Sequence, residues 1–195
     1  MNQMYEFRLH GRGGQGIVVA AAIFAEAVFL EGYYARAFSL FGAERRGAPV
    51  TAFIRVSKDR LMPRSRIYKP DYVVVFDSTL SGSTYTSGLK EKGTLLINAG
   101  DAWSDNLIEN IVAEQQIKII AVDATAIAWK HKLSIGSFPM VNTAMLGAMA
   151  RFSGLASLDN MIISTKKRVT ASVDANINAV TDGYQSVKEA GTIVT

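Results

Sequence analysis

The 195 residues contain no cysteine, two histidines and four prolines. Without cysteine there is no disulfide framework, no thiolate metal site, no cysteine nucleophile and no Cys-ligated iron–sulfur cluster. With only His10 and His131, a multi-histidine metal site is excluded as well. Long apolar runs are also missing. The longest, from Ile17 to Leu30, is broken by Glu26 and falls short of the roughly 20 residues that span a bilayer. The N-terminus lacks the charged-then-apolar order of a signal peptide, so a cytoplasmic protein with no membrane insertion is expected. Blocks of like charge interleaved with aromatics are absent too, which removes the usual basis for a nucleic-acid surface.

What is present is a hydrophobic fraction of 49%, enough for a buried core, in a length that suits a single domain over residues 1–195. The net charge of +4 is unevenly spread. Residues 1–70 hold 11 Lys and Arg against 5 Asp and Glu, whereas residues 71–195 hold 10 against 12. An Arg-rich first third suits an anionic partner or an interface, or is an ordinary arginine-bearing surface.

Strand-like and helix-like segments alternate, the pattern of an α/β domain. Strands are expected over Tyr5–His10, Ala35–Leu40, Val50–Val56, Tyr72–Phe76, Thr94–Ile97 and Lys118–Val122. The later, continuously apolar ones read as strands covered on both faces. Helices are expected over Ile17–Glu31, Leu80–Glu91, Asp105–Gln115, Ala124–Lys132, Asn142–Phe152, Leu158–Val169 and Val173–Ala190. Only nine residues, Phe41–Pro49, separate the second strand from the third, too few for a crossover helix, so an antiparallel or locally rearranged pairing is expected there. The fold class is a Rossmann-like three-layer α/β domain with a mostly parallel sheet, one locally antiparallel pairing and a helical C-terminal third.

Gly11-Arg12-Gly13-Gly14-Gln15-Gly16 is a G-x-G-x-x-G motif placed between a strand and an apolar helix. Glycines permit a tight turn, a helix N-terminus attracts anions, and Arg12 adds a guanidinium. The turn reads either as an anion or cofactor contact or as a packing device. A nicotinamide site also asks for a carboxylate about 20 residues on, and Phe38-Ser39-Leu40-Phe41-Gly42 offers none. A second glycine-flanked loop carries Arg45 and Arg46, with Glu44 a ready partner for either. Asp77, Asn98 and Asp123 end successive strands, where they either face a ligand or cap the next helix or turn. Asn142–Ala148 is rich in small residues, as close helix packing requires. No catalytic residue and no metal ligand stands out.

The glycine turn, Phe41-Gly42-Ala43-Glu44-Arg45-Arg46-Gly47-Ala48-Pro49-Val50, Ile67-Tyr68-Lys69-Pro70-Asp71-Tyr72 and Asn142–Ala148 together resemble the gamma subunits of 2-oxoacid:ferredoxin (acceptor) oxidoreductases, over about residues 5–185. The resemblance implies one subunit of an oxidoreductase, inactive alone. The complex would decarboxylate a 2-oxoacid (pyruvate favoured, branched-chain or aryl oxoacids such as phenylglyoxylate as alternatives) on thiamine diphosphate and Mg, form the acyl-CoA from coenzyme A, and pass electrons through [4Fe-4S] clusters to ferredoxin or another acceptor. Alpha, beta and ferredoxin-like delta subunits would hold those groups, and this chain alone would bind none. Gly11, Arg12, Gly13, Gly14, Gln15, Gly16, Arg45 and Arg46 would then face the partner subunits and a phosphate-bearing cofactor. A stand-alone nicotinamide-dependent dehydrogenase and a purely structural scaffold subunit are the competing expectations.

Overall fold

The computed structural model describes residues 3–39, 47–60, 63, 65–100 and 116–189. Its elements are β1 (Met4–Arg12), α1 (Ile17–Leu30), β2 (Tyr34–Ser39), β3 (Pro49–Ser57), β4 (Tyr72–Val75), α2 (Gly82–Thr86), β5 (Thr94–Asn98), β6 (Lys118–Val122), α3 (Ala124–Lys130), β7 (Ser134–Ile135), β8 (Phe138–Pro139), α4 (Asn142–Ser153), α5 (Leu158–Arg168), α6 (Val173–Gln185) and β9 (Lys188–Glu189). Among the described residues seven strands form one sheet in the order β2-β3-β1-β4-β5-β6-β9, and β7 and β8 pair separately.

Strands β1, β4, β5 and β6 are mutually parallel, and β2 points the same way. The antiparallel pairing of β2 with β3 is as expected from the short loop. Because β3 lies between β2 and β1, it adds a second antiparallel ladder, from Met4↔Ser57 to Arg12↔Pro49, and β9 adds a third at the far edge. Successive strands change side after β1: the chain leaves β1 for β2 and β3 on one side, then returns to β4 on the other. The junction of β1 and β4 is therefore the topological switch point, where open α/β sheets form their crevice.

Alternation decides the layers. Phe7 and Leu9 of β1, Ile54 of β3, Val74, Leu96 and Ile120 face a core completed by α1, α3, α4, α5 and α6. Val73, Val75, Leu95, Ile97 and Ile119 face the opposite side, against Tyr85 of α2 and Leu89. The opposite face of β1 carries Arg8 and His10, and both are buried. Arg8 donates to the carbonyls of Tyr85 and Ser87 through Nη2 and to His10 Nε2 through Nε at 2.9 Å. Burial, with the positive charges of Arg8 and Arg66, lowers the His10 pKa to about 3. This imidazole is neutral and acts as an acceptor.

Several element boundaries differ from the sequence reading. The helix expected over Leu80–Glu91 is only Gly82–Thr86, because the chain turns at Gly88 and Lys92, both at positive φ. The last helix ends at Gln185 rather than Ala190, and the chain then pairs with β6. The helix expected over Asp105–Gln115 lies outside the described residues. Helices α4 and α6 cross at backbone contact, with Gly147 against the Val180 carbonyl and Gly183 against the Ala144 carbonyl. The small residues noted in Asn142–Ala148 serve that crossing.

Candidate functional site

The glycine run begins inside β1: Gly11 and Arg12 still pair with Val50 and Pro49. The turn proper comes next, with Gly14 at φ 98 and Gly16 at φ 73, conformations that L side chains rarely adopt. Gly11 is also a close approach, since a Cβ there would stand 2.4 Å from Ile17 Cδ1. Gly16 is the N-cap of α1 and abuts the Asn142 side chain, so the turn is wedged between the sheet and the start of α4.

Asp77, at the end of β4, is the centre of this junction. Its Oδ2 accepts from Arg12 Nε at 3.1 Å and from Gln15 Nε2 at 3.0 Å. Its Oδ1 accepts from the Thr79 amide at 3.0 Å and the Thr79 hydroxyl at 2.6 Å. Burial pushes the Asp77 carboxyl up, but the Thr79, Gln15 and Arg12 contacts together outweigh it and hold the group below the usual carboxylate range. The Arg12 guanidinium also donates to Gly47 O at 3.3 Å and Thr79 Oγ1 at 3.1 Å. The turn's amides are engaged in the same way: Arg12 N donates to Gln15 Oε1 (2.7 Å), Gly13 N to Ala48 O (2.8 Å) and Gln15 N to Arg12 O (3.1 Å).

The structure thus brings Gly11–Gly16 and Asp77 together at the switch point. Gly47 N donates to Gly13 O at 3.0 Å, so the base of the β2–β3 loop is stitched to the turn. Arg45 and Arg46, on that loop, lie outside the described residues. Asn98 and Asp123 do not join the Arg12–Asp77 cluster. Asn98 bonds the Phe76 carbonyl (2.9 Å) and Thr125, while Asp123 caps α3 by accepting from Ala126 N at 2.8 Å.

A cavity of about 310 Å³ lies over the turn, between Arg12, Gly13, Gly14, Asp77 and the β7–β8 hairpin residues Ile135, Phe138 and Pro139. A more open crevice of about 470 Å³ continues from Asp77 past Asn98 to Asp123. Sequence reasoning missed the hairpin, because two-residue strands leave no periodicity. The available signal was Gly136-Ser137 between Ile135 and Phe138, a two-residue hairpin turn with glycine first, and Gly136 does sit at φ 63. Among the described residues no group of three or more His, Cys, Asp or Glu is placed to hold a metal ion.

A Rossmann dinucleotide site needs a parallel second strand beside the first, with a carboxylate at its end for the ribose. Here antiparallel β3 occupies that place. The geometry therefore defines an α/β chain whose glycine turn organises the switch-point crevice without the dinucleotide arrangement. The family model described as pyruvate ferredoxin/flavodoxin oxidoreductase matches residues 6–186. The chain is 44% identical over 191 residues to the pyruvate synthase subunit PorC of Methanothermobacter marburgensis, covering 96% of this chain and 100% of that one. It is 41% identical to the common subunit gamma of the pyruvate/ketoisovalerate oxidoreductases of Pyrococcus furiosus, covering 95% and 98%. The crystal structure of pyruvate oxidoreductase subunit PORC from Thermotoga maritima superposes with a TM-score of 0.79 at 36% identity, covering 95% and 98%. The chain belongs to the pyruvate ferredoxin/flavodoxin oxidoreductase family, as a gamma-type subunit of an oxidoreductase acting on the oxo group of a 2-oxoacid.

Proposed function

We propose that these 195 residues form one gamma-type domain that closes the acyl-acceptor side of a thiamine-diphosphate- and iron–sulfur-dependent 2-oxoacid oxidoreductase, with pyruvate as the favoured substrate and ferredoxin or another carrier as the acceptor. The full-length match to PorC carries this reading. The complex decarboxylates the 2-oxoacid, transfers the acyl group to coenzyme A and passes the electrons on. A chain without cysteine leaves the [4Fe-4S] clusters to its partners, and thiamine diphosphate with its Mg belongs to the alpha and beta subunits.

This chain's contribution is the edge formed by the glycine turn and the β2–β3 loop. The turn itself is a poor phosphate cradle. Arg12 is neutralised by Asp77, and three of the turn's amides already have protein acceptors. If the edge meets the phosphates of coenzyme A, the charge comes from Arg45 and Arg46 on the loop that Gly47 and Ala48 anchor to Gly13. Replacing both with Ala in the assembled complex should raise KM for coenzyme A about tenfold, with KM for the 2-oxoacid unchanged. Unchanged KM for coenzyme A in an intact complex refutes that role.

A further inference from the structure

Helix α1 is apolar on both of its faces. Glu26 is the one polar side chain among its 14 residues. Ala20, Phe24, Ala27 and Val28 are buried in the main core, as an inner face should be. A helix that is apolar on its other side as well belongs inside a larger structure. Here that other side is open: Val18 is 39%, Val19 47%, Phe29 59% and Leu30 46% exposed. Val18, Ala22, Ala25 and Phe29 recur at i, i+4, i+7 and i+11, which makes one stripe about 16 Å long. Contiguous exposed apolar surface of this kind marks an interaction site.

Shape and charge narrow the occupant. Ala22 and Ala25 form a notch between the larger Val18 and Phe29, suited to a ridge of side chains from a second helix. A lipid surface would meet the two ends of the stripe and leave the notch empty. The flank of the stripe is basic. Glu26 is held by Lys167 at 2.6 Å and by Arg168, both at the end of α5, and Lys166 beside them is exposed. Three cations therefore stand against one carboxylate at this end of α5. Two copies of this chain meeting about a two-fold at the notch would set these clusters against each other, because Glu26 adjoins Ala25. An acidic flank is complementary instead.

We propose that the outer face of α1 docks an α-helix of another subunit of the oxidoreductase, with an apolar stripe that fills the Ala22–Ala25 notch and carboxylates along the side facing α5. The proposal rests on the gamma-subunit reading and adds to it a contact surface along α1.

The absence of cysteine makes the test direct. Phe29→Cys supplies the only thiol of this chain on the stripe, and Val18→Cys does so at the other end if the first variant fails to assemble. Maleimide labelling, read by mass, is timed for the free chain, for the free chain with vesicles of phosphatidylcholine and phosphatidylglycerol, and for the purified complex. Docking predicts a free chain that is monomeric by light scattering and labels at one rate with or without vesicles. In the complex the rate should be about tenfold slower, because the centre of an interface excludes solvent. Lys166→Glu, co-expressed with the wild-type chain, should enter the complex about threefold less often, since a reversed rim charge opposes the partner's carboxylates. Equal labelling rates in free chain and complex overturn the proposal. Protection by vesicles also overturns it and assigns the face to lipid. A free chain that dimerises with its thiol protected overturns it in favour of a second copy, and equal incorporation of Lys166→Glu overturns the acidic flank. If the wild-type chain joins no complex, the gamma-subunit reading itself fails. If it joins and the thiol labels at the free rate, only the docking of α1 fails.

Discussion

Gly147→Ala is expected to destabilise the protein, against the usual direction for a glycine in a helix. A Cβ at position 147 would stand 1.9 Å from the Val180 carbonyl oxygen and 2.7 Å from the Tyr184 amide nitrogen, both backbone atoms of α6. Ordinary contact begins near 3.4 Å, so α4 and α6 would have to separate by about 1.5 Å. Residues packed at this crossing, Ala144, Ala148, Ala179 and Val180, are fully buried, and the separation would open the core beneath them. Overpacking costs about 1–3 kcal/mol and occasionally more, and a clash with backbone lies at or above the top of that range. Better helix propensity returns about 1 kcal/mol, leaving a net loss of about 2–3 kcal/mol. For a chain of this size that is a fall in Tm of roughly 4–12 °C. Calorimetry or circular dichroism reads it, with Asn178→Ala on the exposed face of α6 as the control, expected to stabilise by a few tenths of a kcal/mol. A raised Tm in Gly147→Ala would refute the backbone-contact crossing, since propensity would then have won.

The buried polar groups carry two further expected outcomes. His10 is held neutral in the fold with a pKa of about 3, while an unfolded histidine titrates near 6.5, so the unfolded chain binds the extra proton between those values. Stability should therefore be full above pH ~6.5 and decline as pH falls towards ~3, and His10→Gln, which keeps an acceptor for Arg8, should shallow that decline in urea titrations at several pH values. An unchanged slope would contradict the assignment. Asp77→Asn should cost about 1 kcal/mol, discounted for the one-third exposure of Arg12, and speed amide exchange at Gly13 and Gln15. Because the Asp77 carboxyl is depressed in the fold, its contribution is present above the usual carboxylate pKa and lost as pH falls through the depressed one, so the variant should also lose that part of the acid limb. Unaltered exchange at the turn would show that Asp77 does not organise it.

Much of this fold was legible because burial writes itself into the sequence as continuous apolar strands. Val73–Val75, Leu95–Ile97 and Ile119–Ile120 announced a sheet covered on both faces, and the short Phe41–Pro49 loop announced an antiparallel pairing. What the loop length could not reveal is that β3 inserts between β2 and β1, because strand order is decided by tertiary packing rather than by local pattern. The glycine turn was found for the right physical reason, positive φ at Gly14 and Gly16. Its chemistry was not legible, because the partner that neutralises Arg12 comes from Asp77, 65 residues away. The same holds for the burial of Arg8, whose acceptors, the Tyr85 and Ser87 carbonyls, lie more than 70 residues away.

The most direct test of the gamma-subunit assignment is to tag this chain in its own cells, purify it without oxygen and assay what comes with it. The assignment predicts larger subunits carrying thiamine diphosphate and iron–sulfur clusters, with dye reduction that requires both a 2-oxoacid and coenzyme A. A chain that purifies alone and oxidises its substrate with a nicotinamide cofactor, or a complex that reduces no dye with any 2-oxoacid, would contradict it.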